Sequence, residues 1–76
     1  MRNPMTVEFV SFLIESHNLN REEESVLIDE RYVEELDEIE DLIDFQSMWR
    51  SMEEDFKSNL KFYRLNRRLN KFNITN

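Results

Sequence analysis

Seventy-six residues suffice for one small hydrophobic core but leave too little chain to enclose a sizeable ligand cavity as well. Gly and Cys are absent and the single Pro is Pro4, which excludes glycine-rich phosphate loops, disulfides and thiolate sites, and removes the turn pairs that hairpins need. The net charge of −7 conceals a division: all 17 acids lie in residues 1–55 beside four basic residues, giving −13, whereas residues 56–76 carry six cations and no acid.

Asn3-Pro4 is a helix start, because Asn can cap free amides and Pro at the first helical position lacks the amide that would go unsatisfied. Phe9, Val10, Leu13, Ile14 and His17 follow at helical spacing, which predicts helix 1 over about residues 4–17. Asn18-Leu19-Asn20 is a connector. Asn20 with Glu23 three residues on is a capping-box signature, and Glu22, Glu23 and Glu24 suit the positive end of a helix dipole. Ile28, Tyr32, Leu36, Ile39 and Ile43 form one continuous stripe, so helix 2 is expected over about residues 21–43.

A second stripe, Phe45, Trp49, Met52, Phe56, Leu60 and Tyr63, falls out of phase with the first and marks a break near Asp44. Helix 3 is expected over about residues 45–72. A rival break at Ser51 has its own capping box with Glu54. It would match Lys57 with Asp44, Lys61 with Glu40, Arg64 with Asp37 and Arg67 with Glu34. A fold near Asp44 instead opposes Ile39 to Trp49, Leu36 to Met52, Tyr32 to Phe56 and Ile28 to Leu60. Exposed ion pairs give roughly 0.2–1 kcal/mol each and a buried large apolar side chain about 1.5–3 kcal/mol, so the Asp44 fold is preferred. A third stripe, Phe62, Leu65, Leu69 and Phe72, lies nearly opposite the second. Either the chain bends near Ser58-Asn59, or helix 3 is buried on two faces at different heights, which suits a three-helix bundle.

These elements make an all-α chain, a small three-helix bundle over residues 1–76: short helix 1, long acidic helix 2, and long helix 3 with a basic C-terminal end. An apolar stripe left over from so few helices would suit a second subunit, so a homodimer is kept in view. No apolar run exceeds three residues, and a soluble, cytoplasmic protein with neither export signal nor membrane span is expected.

Catalysis and cofactors are not expected. His17 is the only histidine and has Ile14, not a carboxylate, three residues before it, which breaks the di-iron helix motif. Calcium loops need a central Gly. At the end of helix 1 a partly protonated His17 would simply suit the dipole.

Helix 2 carries the strongest signal, with twelve acids and one basic residue, Arg31, between Glu22 and Asp44. Glu30/Glu34, Glu34/Glu38, Asp37/Asp41 and Glu40/Asp44 are like-charge pairs four apart, each costing about 0.2–0.5 kcal/mol on a helix. Such crowding is expected to raise carboxylate pKa values in the fold. A solvated face that aids solubility is the plain reading. The functional reading is a surface formed by Glu30, Glu34, Asp37, Glu38 and Asp41 and aimed at a basic protein, one that handles nucleic acid being the natural case, since carboxylates can stand in for phosphates. The alternative is nucleic-acid binding by Lys57, Lys61, Arg64, Arg68 and Lys71, interleaved with Phe62, Tyr63 and Phe72. Against it, these cations also complement a helix C-terminus, and the overall charge repels nucleic acid. Met48, Trp49 and Met52 are candidate interface anchors, with core packing the plainer role. A self-associating assembly protein is the third reading. The Gly-free, charge-dense composition is of a kind common in small accessory proteins of phages and mobile elements, an impression without a motif.

Overall fold

The computed structural model describes the backbone of residues 3–73 and the side chains of residues 3–71. Among these described residues it is all-α, with four helices: α1 (Pro4–Ser16), α2 (Arg21–Leu27), α3 (Glu30–Asp37) and α4 (Leu42–Asn73). Among the described residues there is no strand, and no helix is long and apolar enough to cross a membrane.

Each boundary has a polar side chain behind it. Asn3 caps α1 through Oδ1, which accepts the Met5 amide at 3.0 Å, and Pro4 fills the first helical position. At its far end the Asn18 amide donates to the Glu15 carbonyl and the Leu19 amide to that of Ile14, with Asn18 left-handed at φ 51°. That bond pattern is a Schellman stop. Asn takes the left-handed position that Gly usually fills, because its short polar side chain tolerates positive φ better than most. The capping box expected at α2 is formed in both directions: the Glu23 amide donates to Asn20 Oδ1 at 2.8 Å, and the Asn20 amide to Glu23 Oε1 at 3.1 Å.

The expected long helix 2 is two short helices. Ile28 leaves helical geometry at φ −116°, ψ 60°, and Asp29 caps α3 by accepting the Tyr32 amide at 2.8 Å. A second interruption spans Glu38–Asp41. There Asp41 Oδ1 accepts the Ile43 amide at 2.9 Å and starts α4. Asp37/Asp41 and Glu40/Asp44 therefore flank or span a loop rather than stack on one helical face, which removes two of the four like-charge pairs from helical register. The break lies a few residues before Asp44, and the rival site at Ser51 is inside α4.

Helices α1, α2 and α3 pack along the first two-thirds of α4: α1 runs parallel to it, with Phe9 by Phe45 and His17 by Phe56, and α2 and α3 run antiparallel in the order the Asp44 fold requires. Tyr32 and Phe56 face each other with ring centroids 6.3 Å apart. The core is Phe9, Leu13, Leu36, Phe45, Phe56 and Leu60. Trp49 completes it, edge-on to Phe9 at 4.6 Å and beside Phe12 at 5.4 Å. The start of α1 is tied to the α3–α4 loop: the Asn3 amide donates to Asp37 Oδ1 at 3.1 Å, and Asn3 Nδ2 to the Ile39 carbonyl at 2.8 Å.

The molecule is 51 Å long and 23 by 19 Å across. That length is the length of α4, about 48 Å for 32 residues at 1.5 Å each. Helix α4 runs unbroken past Ser58-Asn59. Its third apolar stripe is not buried on a second face: Phe62, Leu65 and Leu69 are 64%, 48% and 51% exposed. Three short helices have only enough apolar surface to cover one side of α4. Phe72, the fourth member, lies outside the described side chains.

Candidate functional site

Two charged surfaces result, joined where α2 meets α4. Glu23 is buried, although it is ionisable, because three donors converge on it. Arg64 Nε donates to Glu23 Oε2 at 2.6 Å and Arg64 Nη2 to Oε1 at 3.3 Å, while the Asn20 amide supplies the third bond. This planar two-bond clasp is the strongest arrangement open to an Arg–carboxylate pair. It holds the Glu23 carboxyl below its ordinary range, Arg64 being the chief cause and burial opposing it. Arg64 Nη2 also donates to the His17 carbonyl at 3.3 Å, which satisfies the end of α1.

One turn on, Arg67 pairs with Glu22, and the Tyr63 hydroxyl donates to Glu22 Oε1 at 2.9 Å. Glu22 is lowered by Arg67 and then Tyr63, and Tyr63 is raised by burial and then by Glu22. These shifts at Glu22 and Glu23 run opposite to the rise expected from crowding, because each acid has an arginine partner. Sequence reasoning did not single out the quartet Glu22, Glu23, Arg64 and Arg67. A signal existed: continued outward from Ile28 and Leu60, the Asp44 fold sets Glu24 opposite Arg64 and Glu23 one residue away.

The remaining cations are less engaged. Lys57 lies 3.6 Å from Glu54 on its own helix. Lys61, Arg68 and Lys71 are exposed and form no ion pair among the described residues. Lys57, Lys61, Arg64 and Arg68 line an open groove of about 420 Å³ with His17 at its edge. His17 terminates α1, as expected; its ring lies 5.6 Å from that of Phe56, and its Nε2 is buried without a hydrogen-bond partner.

The acidic candidates divide in two. Asp37 and Asp41 serve the fold, the first by holding the Asn3 amide and the second by capping α4. Glu30, Glu34 and Glu38 are exposed and form no ion pair among the described residues; the α3 pair is Arg31 with Glu35, at 3.7 Å. Glu38, Glu40, Asp41 and Asp44 surround a shallow depression floored by Ile39 and Met48. Of the candidate anchors, Trp49 and Met52 pack against the core, and Met48 is 45% exposed. Among the described residues no three carboxylate or histidine side chains converge as metal ligands would. No protein-family model matches the chain, and neither does any curated protein or solved structure.

Proposed function

We propose that the chain is a small regulatory or inhibitory interaction module that offers the carboxylates of α3 and the α3–α4 loop to a basic surface on another protein. A surface that ordinarily holds nucleic-acid phosphates is the best match in charge. The observation that supports this is how the chain spends its own cations. Arg64 and Arg67 are committed to Glu23 and Glu22 on α2, while Glu30, Glu34 and Glu38 are left exposed. Neighbouring unpaired carboxylates repel one another, and a cationic partner relieves that repulsion as it binds. The field of such a cluster also steers a basic partner in from a distance.

The basic groove supports the second reading, nucleic-acid binding through Lys57, Lys61, Arg64 and Arg68. Two of the four are partly neutralised, by Glu54 and Glu23, and the carbonyl end of α1 lies beside the groove, so the acidic surface is the stronger candidate. Affinity capture from the native cytoplasm separates the two readings. Reversing Glu30, Glu34 and Glu38 to Lys is expected to lose the captured partner while neutralising Lys61, Arg68 and Lys71 leaves it bound. Capture that survives the acidic reversal, with nucleic acid retained by the wild type in a gel shift, would transfer the function to the groove.

A further inference from the structure

Helix α4 has an outer face that no other part of the described chain covers. Met48, Ser51, Asp55, Ser58, Phe62, Leu65 and Leu69 follow one another at alternating steps of three and four, the spacing that keeps side chains on one seam between paired helices. All but Asp55 and the two serines are large apolar groups, and these are between 45% and 64% exposed. The seam is uneven: after Met48 its first half is small and polar, and its second half is bulky and apolar.

We propose that this face binds a second copy of the chain, with the two α4 helices antiparallel about a two-fold axis near Asp55–Ser58. Turned end for end, the bulky half of one helix meets the small half of the other, so that Phe62 lies over Ser51 of the second copy and Leu65 against its Met48. Charge selects the same arrangement. One flank of the seam reads Ser47, Glu54, Lys61, Arg68 at seven-residue intervals, acid then base. In the antiparallel pair, Lys61 comes beside Glu54 of the second copy and Arg68 beside its Asp44 and Ser47, twice over by symmetry. The opposite flank, Met52, Asn59 and Asn66, is uncharged. A pairing of the two C-terminal ends would bury the same apolar groups, but it would set Lys61, Arg64, Arg67, Arg68 and Lys71 against their own copies. A parallel pairing would do likewise and align the helix dipoles unfavourably.

Met48 and Asp44 at one end of the seam also border the acidic depression of the α3–α4 loop, whereas Phe62 and Leu65 lie outside it, so substitutions at those two positions test the dimer without touching the acidic surface. Sedimentation equilibrium of the full chain from micromolar to submillimolar concentration should show a monomer–dimer equilibrium that weakens with salt. Phe62→Asp with Leu65→Asp should weaken it at least about 100-fold with the helical signal retained, because both side chains are exposed in the single copy. The chain has no Cys, so a single introduced Cys gives one spin label per copy. Electron–electron distance measurements should place labels at Asn59→Cys within about 25 Å of each other and labels at Asn70→Cys about 40 Å apart. A monomer at every concentration, a dimer indifferent to the two Asp substitutions, or Asn70 labels closer together than Asn59 labels would overturn the proposal.

Discussion

Glu23 and Arg64, 41 residues apart in sequence, lock α2 onto α4 through two charge-assisted hydrogen bonds at 2.6 and 3.3 Å. The Glu23 side chain is 7% exposed and that of Arg64 46%, so the acid depends on the pair more than the arginine does. Removing Arg64 leaves a buried charge with the Asn20 amide as its remaining donor. Arg64→Ala should therefore cost about 2 kcal/mol in denaturant unfolding. Glu23→Gln keeps an acceptor for the capping box and should cost less. A double-mutant cycle between the two positions should show coupling well above that of an exposed pair such as Arg31–Glu35.

The same pair sets the acid limb of stability. Glu23 and Glu22 are held below the ordinary carboxylate value of 4.5. A group whose pKa is depressed by folding stabilises the fold above its unfolded pKa and loses that contribution as pH falls through the folded one. Melting temperature should accordingly fall as pH drops below about 4.5. Glu23→Gln, measured beside the wild type, should flatten that limb.

At the alkaline end the group to watch is Tyr32, pushed up to about 12 by burial, with Asp55 and Glu35 adding to the effect. A raised acid pKa works the other way: the stabilisation is full below the unfolded value near 10 and is lost as pH climbs towards 12. Tyr32→Phe should weaken that alkaline loss and remove the transition near 12 from a spectrophotometric titration.

Proline reads the start of α4. Leu42 is the first helical position and Asp41 its cap, so Leu42→Pro should be mild. Ser47 and Ser51 both lie inside the helix, where Pro removes a backbone hydrogen bond and clashes with the preceding turn at about 3 kcal/mol or more. Either change should bring a domain of this size close to unfolding at room temperature.

Asn3 gives a sharper distinction than a simple deletion. Asp is as good an N-cap as Asn, yet Asn3 also donates Nδ2 to the Ile39 carbonyl and sits over Asp37. Asn3→Asp should keep the α1 cap and still lose about 1 kcal/mol, through one lost donor and one new repulsion. An unchanged melting curve would show that the stitch to the loop contributes nothing.

The all-α class, the α1 and α2 caps and the antiparallel Tyr32–Phe56 register were legible because each rests on local spacing. The split at Asp29 was not. The apolar stripe from Ile28 to Ile43 passes through it without a gap, and in a chain without Gly the only sign was one Asp able to hold an amide three residues on. The structural roles of Asp41 and Asp37 were hidden for the same reason. An acid in a cluster of twelve does not announce which of its neighbours will cap a helix and which will face water. The exposed Phe62, Leu65 and Leu69 were visible as a stripe, but whether anything covers a stripe depends on how far three short helices reach along a long one.

The most direct measurement of the central proposal is the affinity of a captured partner for four proteins at low and moderate salt. These are the wild type, Glu30/Glu34/Glu38 changed to Gln, the same three changed to Lys, and Lys61/Arg68/Lys71 changed to Gln. Affinity should fall stepwise from wild type to Gln to Lys, by at least about tenfold at each step, and should weaken with salt in the wild type above all. Equal affinities for the wild type and the Lys protein, or a loss confined to the Lys61/Arg68/Lys71 variant, would contradict the acidic surface as the site of binding.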